Sequence, residues 1–136
     1  MFKKVVVAVD IAHGELGAGL LAKAAELLDE GGQIRLLHVL EEIPSYIAAE
    51  MPRDLTDRRN AEARVELKAL AETQGVAAEV EVRSGAASGQ ILQCAEDCEA
   101  DLVMIASHRP GLSDYFIGST AARVVRHAQC SVLIIR

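Results

Sequence analysis

Val5-Val6-Val7-Ala8-Val9-Asp10 is the stretch from which the fold is read. Its five apolar residues, four of them β-branched, show no alternation between a wet and a dry face. A strand of that kind has to be covered on both sides, the condition of a central strand in a parallel sheet. Asp10 ends the run and opens a loop that extends to Gly14.

Working outward, Leu21, Ala24, Ala25 and Leu28 recur at helical spacing, and Gly31-Gly32 reads as the end of that helix. Ile34 to Leu40 form a second strand, after which Pro44 and Pro52 interrupt any regular element between Glu41 and Asp57. A connection of that length is commonly functional or disordered. From Arg58 a second helix sets Ala63, Leu67, Leu70 and Ala71 on one face and is stopped by Gly75. Ala78 to Val82 alternate, which predicts a strand with one wetter face near a sheet edge. Ser88 is the expected N-cap of a helix with Ile91, Cys94, Ala95 and Cys98 inward. Leu102 to Ala106 form a buried strand and Ser107 to Ile117 a long loop. Gly118-Ser119 opens a helix with Ala121, Val124, Val125 and Ala128 inward, and Ser131 to Ile135 form the last strand.

Strands alternating with helices predict an α/β fold over a single domain, residues 1–136. The architecture is a doubly wound five-stranded parallel sheet of order 3-2-1-4-5 with helices on both faces, Rossmann-like or flavodoxin-like. Composition agrees: 51% hydrophobic and 25% charged residues belong to a globular chain, with a core of Val, Ile, Leu and Ala because aromatics are only 3%. A net charge of −6 argues against a nucleic-acid partner. No apolar run approaches the roughly 18 residues of a membrane span. The opening run is also shorter than the about 7–15 residues of a signal peptide's apolar region, so the expected location is the cytoplasm. Cys94, Cys98 and Cys130 form neither a disulfide framework nor a CxxC pair. Cys94 and Cys98 fall on an apolar stripe and read as core packing rather than metal ligands.

Sheets of this kind bind ligands beyond the carboxyl ends of the strands, where the winding reverses. That crevice lies between the loops after Val9 and after Ala106, with Asp10, Ile11, Ala12, Ser107, His108 and Arg109 on its rim and Val39 and Gly85 at the same end. Ser107-His108-Arg109-Pro110-Gly111 followed by Gly118-Ser119-Thr120 at a helix start is what a phosphate needs. Gly118 permits close backbone approach, the free N–H groups of Ser119 and Thr120 stand at a positive dipole end, and hydroxyls and a guanidinium are near.

These residues carry a resemblance to the universal stress protein family over nearly the whole chain. The first strand with Asp10 is similar to its VAVD opening, and Leu37-His38-Val39 to its LHV second strand. Asp101-Leu102-Val103-Met104-Ile105 resembles its DLIVMG fourth strand, and Gly118-Ser119 through Val125-Arg126-His127-Ala128-Gln129-Cys130-Ser131-Val132-Leu133-Ile134 its closing segment. The resemblance implies a stress-response regulatory protein that holds ATP or another adenine nucleotide, with or without Mg2+. It would put Asp10 by the ribose or phosphates, Ala12 beside the base, the Val39 backbone at the adenine edge and Gly85 along the ribose. Of the family's G-x2-G-x9-G-[ST] motif, Gly118-Ser119 remains. Ala106 and Arg109 stand where the earlier glycines would be, and Arg109 would supply phosphate charge in place of backbone N–H groups. The family's frequent serine shortly after the aspartate is absent.

Asp10 reads more readily as a loop cap that orients a nucleotide than as a catalytic group, and His13 and His38 as structural. A receiver-type phosphoacceptor fails on three counts: no acidic pair at Asp10, no aspartate after the third strand, no lysine after the fifth. There is no Walker motif and no base–orienter–nucleophile set, so at most slow hydrolysis is expected. The competing reading is a dimeric scaffold with a degenerate pocket. In either case the apolar strand Ser131 to Ile135, if it lies at an edge, predicts a homodimer, as the family commonly forms, or a higher oligomer. A regulatory protein partner is expected but not identified by the sequence.

Overall fold

The computed structural model describes residues 1–41, 53–107 and 118–136. In chain order the elements are β1 (Phe2–Ala8), a 3-10 turn (Ile11–His13), α1 (Gly14–Leu27), β2 (Leu28–Leu40), α2 (Arg53–Gln74), β3 (Glu79–Ser84), α3 (Ala87–Asp97), β4 (Leu102–Ala106), α4 (Ser119–His127) and β5 (Ser131–Ile135). The strands form one five-stranded sheet of order β3-β2-β1-β4-β5, every ladder parallel. The predicted fold class and strand order are those found.

The opening valine run is covered on both faces, as its composition requires. Val5, Val7 and Val9 point to one side, where Leu20, Leu21 and Ala24 of α1 and Ala63, Leu67 and Ala71 of α2 meet them. Val6 and Ala8 point to the other, against Ile91, Cys94 and Ala95 of α3 and Ala121 and Val124 of α4. In register, Val5–Ala8 face Ile34–Leu37 on one side and Leu102–Ile105 on the other. The winding goes out from β1 through β2 to β3 and returns at β4, so the reversal lies between β1 and β4. The edge predicted for the Ala-Glu-Val-Glu-Val strand is where β3 sits.

Several local expectations are corrected. Gly31-Gly32 does not close α1, which ends at Leu27; the pair lies in an irregularity of β2, between the Phe2–Leu28 and Lys4–Gln33 pairings, where Gly31 takes φ +81. Leu28 is therefore strand and Ala25 is exposed. Ser88 is not the N-cap of α3: Ala86 holds that position without a side-chain bond, because the chain turns one step earlier, at Gly85 with φ +136. α2 begins at Arg53 rather than Arg58, since its first turn is mostly polar and its one apolar residue, Leu55, is exposed and sets no stripe. Val125 faces outward, 49% exposed, as the apolar stripe of α4 is narrower than the sequence suggested. Glu41 and the residues of α2 are described, but the rest of the long connection, 42–52, lies outside the described residues.

The start of β4 is fastened to the start of β1. The Asp101 carboxylate accepts the N–H groups of Lys3 at 2.8 Å and Lys4 at 2.9 Å, and the Asp101 N–H returns a bond to the Lys4 carbonyl at 2.9 Å. Desolvation is the largest influence on this carboxyl and acts to raise its pKa. The backbone N–H groups outweigh it and hold the group below the usual carboxylate range.

Candidate functional site

At the carboxyl end of the sheet, where the winding reverses, a crevice of about 590 Å³ opens between the ends of β1 and β4. Asp10, Val39, Ala106, Ser107, Gly118, Ser119 and Thr120, all expected from the sequence, line it. An adjoining recess of about 400 Å³ is bordered by Gly85, Ser88, Ser119, Thr120 and Arg123. The structure thus brings together residues far apart in the chain by ending parallel strands at one level.

Asp10 caps the 3-10 turn: its Oδ1 accepts the Ala12 N–H at 2.9 Å, and the side chain remains exposed. That bond fixes the carboxylate's direction and leaves Oδ2 without a partner among the described residues. Ile11 packs against the core on the α1 side, and Ala12 is exposed with its N–H given to Asp10. Neither is among the lining residues of the crevice. His108, Arg109 and Gly111 lie outside the described residues.

Across the crevice, the Ser107 N–H donates to the Ile135 carbonyl at 2.9 Å, tying the end of β4 to β5. Its Oγ accepts the Gly118 N–H at 2.8 Å, which sets the entry of α4. Gly118 is the N-cap and offers no side-chain acceptor, so no cap among the described residues takes the first N–H groups of α4. α3 is also uncapped, and neither helix has an acidic residue in its first turn. Both N-termini therefore present positive dipole ends to the same end of the sheet, with Glu41 lining both recesses beside them.

Gly118 has φ −56, a conformation open to any residue, and among the described residues an added Cβ would meet only Ser107 Oγ, at 3.7 Å. The protein's own backbone does not demand glycine there, and Gly118 lines the crevice. Gly85 differs, since its φ of +136 does require glycine.

Several lining residues were not singled out from the sequence: Leu16, Gly17, Glu41, Arg59 and Ala87. Gly17 carried a readable signal, a glycine inside an apolar helical stripe. It lets α1 approach β1 closely, as a Cβ would stand 3.1 Å from Val9 Cγ1 and 3.2 Å from Leu70 Cδ2. His38 lines the crevice as well and is structural as expected. It is buried, and its Nδ1 is 3.0 Å from the Val9 carbonyl, which can only accept, so Nδ1 carries the proton.

The family model described as "Universal stress protein family" matches residues 1–136. The chain belongs to the universal stress protein family. It is thereby grouped with proteins named for a role in the stress response. It is 30% identical over 145 residues to universal stress protein G of Shigella flexneri, with all of both chains covered. Among solved structures it is similar to the hypothetical protein MJ0577, at 22% identity and a TM-score of 0.78, covering 99% of this chain and 96% of that one. A universal stress protein solved in complex with cAMP is 20% identical, with a TM-score of 0.65 and coverage of 99% and 97%. At such identities these two likenesses speak for the fold. Among the described residues, no helix is long and apolar enough to cross a membrane.

Proposed function

We propose that the crevice holds an adenine nucleotide, ATP or a relative of it, as the regulatory ligand of a stress-response protein acting in the cytoplasm. The observation that carries this reading is the start of α4 at Gly118, which lines the crevice and has no side-chain cap among the described residues. Phosphate oxygens would accept the N–H groups of Ser119 and Thr120 and the Thr120 hydroxyl. Asp10 Oδ2, held in direction by the bond from Ala12, would accept a ribose hydroxyl or bind Mg2+ carried by the phosphates. Val39, Ala106 and the ends of the apolar strands would flank the base, with Gly85 bordering the sugar. The cAMP complex of a structural relative supports an adenine nucleotide as the class of ligand. Within this reading the protein's residues bind and orient; none is assigned a bond-breaking role.

The test is calorimetric titration of the purified protein with ATP, ADP, AMP and cAMP, each with and without Mg2+, after assaying for nucleotide carried through purification. Micromolar affinity for at least one is the expected result. No heat with any of them, and none carried over, would overturn the reading in favour of a scaffold. The exposed edge of β5 gives that alternative its support, and on either reading we propose a homodimer through this strand.

A further inference from the structure

Away from the crevice, at the far end of α3, two thiols stand one turn apart. Cys94 and Cys98 are free, and their sulfurs are 3.9 Å apart. Both pack against the core on this face, but Cys94 has no exposed surface whereas Cys98, at the edge of the cluster, is partly exposed. Access is therefore graded: a small solute meets Cys98 first and finds Cys94 behind it. Burial, followed by the neighbouring Cys98, pushes the Cys94 thiol up to about 12, so Cys94 keeps its proton at neutral pH.

A cation faces the pair. Arg35 on β2 shares its side of the sheet with Leu37 and Val39, the side on which Cys94 and Cys98 pack. Its Nη1 and Nη2 bond Glu81 and Glu79 at 3.0 and 2.9 Å. Its Nε is buried with no partner among the described residues, and the guanidinium is near enough to both cysteines to feel a charge formed on either. An unpartnered buried N–H is costly, and on a guanidinium it is a strong donor to an anionic sulfur or a sulfur-bound oxygen. The helix also ends where it would have to give. Cys98 is the C-cap, its N–H bonded to the Cys94 carbonyl at 3.0 Å, and Glu99 beyond it takes φ +54. Four residues of helix advance about 6 Å. That lies within the roughly 4.4–6.8 Å between Cα atoms that a disulfide spans, while the Cβ atoms, about 5–6 Å apart at this spacing, have to close to about 4 Å, which the last turn must supply.

We propose that Cys98 and Cys94 form a dithiol oxidised by hydroperoxides, with Cys98 the attacking and Cys94 the resolving sulfur. The Cys98 thiolate attacks one oxygen of hydrogen peroxide and the O–O bond breaks. Cys98 becomes a sulfenic acid, and the departing hydroxide takes a proton to leave as water. The Cys94 sulfur then attacks the Cys98 sulfur. The S–S bond forms as the S–O bond breaks, and the hydroxide leaves with the Cys94 proton as a second water. Two thiols and one peroxide give one disulfide and two waters. Closure tightens the last turn of α3, which holds Asp97 in its 2.9 Å bond to Arg83, on the helix whose first residue, Ala87, lines the crevice. The proposal stands independently of what the crevice binds.

The experiment treats folded protein carrying Cys130→Ser, which removes the third thiol, with hydrogen peroxide. The protein is then denatured in alkylating agent, and the tryptic peptide containing both cysteines is weighed. The expected product is lighter than the dithiol peptide by two hydrogens, takes up no alkyl group, and is restored by a reductant. A peptide that still takes two alkyl groups, or that carries sulfinic acid with both cysteines unlinked, overturns the proposal. Adding Cys94→Ser should let dimedone trap a sulfenic acid at Cys98, whereas Cys98→Ser should leave Cys94 untrapped; the reverse pattern overturns the assigned order. The first measurement needs neither Cys94 nor Cys98 changed, so it decides the matter even if those variants fold poorly.

Discussion

Asp101 and Gly118 show two opposite ways in which one residue matters. Asp101 is fixed by what it touches. Its carboxylate holds two N–H groups of β1, and its folded pKa lies below the ordinary value, so it contributes stability above the unfolded pKa of about 3.9. That contribution is lost as pH falls through the folded value. Asp101→Asn should lower stability at pH 7 by about 1 kcal/mol, a modest figure because water screens the site. It should also flatten the fall in Tm between pH 5 and pH 2. A Tm profile parallel to wild type over that range would contradict the assignment. Gly118 is fixed by what it leaves empty. Because a methyl there meets, among the described residues, only Ser107 Oγ at 3.7 Å, Gly118→Ala should cost less than about 1 kcal/mol in denaturant unfolding. It should nevertheless weaken nucleotide binding at least tenfold in the calorimeter. Unchanged affinity would remove Gly118 from the site.

The elements differ in how much of themselves they declare in the sequence. β1, β4 and β5 were legible because an unbroken apolar run bounded by polar residues has few other readings, and β3 because its alternation put Val80 and Val82 to one side and Glu79, Glu81 and Arg83 to the other. Starts and ends of helices were less legible. A polar first turn such as Arg53 to Asp57 carries no apolar period, and a glycine pair such as Gly31-Gly32 punctuates an irregular strand as readily as it stops a helix. Of the candidate site, the strand ends were readable from topology alone, but the close approach of α1 to β1 was not, since it depends on a tertiary contact at Gly17. Gly17→Ala forces a methyl to within 3.1–3.3 Å of Val9 and Leu70 side-chain atoms. Overpacking of this kind typically costs about 1–3 kcal/mol, offset by about 1 kcal/mol of helix propensity. A net loss of about 1 kcal/mol in denaturant unfolding is expected, and a gain would mean that α1 simply shifts outward.

For the whole molecule, the edge strands are treated differently. Beside β3, Arg35, Glu79, Glu81, Arg83 and Asp97 form a chain of ion pairs on one face, a charged border poorly suited to a neighbouring strand. β5 itself, Ser131–Ile135, carries no charged side chain, and Val132, Leu133, Ile134 and Ile135 are all partly exposed. Association should therefore run through β5 alone. Light scattering at micromolar concentration is expected to show a particle of twice 14.5 kDa, and a monomer would refute it.

The reversal between β1 and β4 has a mechanical meaning. In the sheet, the half wound outward through β2 and β3 is joined to the half formed by β4 and β5 by one short ladder, Val5–Ala8 against Leu102–Ile105. Asp10 belongs to one side of that joint, and Ser107, Gly118 and Ser119 to the other. A molecule seated between them would act as a rivet across a seam, stiffening at its open end two plates that Asp101 already pins at the other. What the occupant changes would then be less the shape of the protein than its resistance to being pried apart.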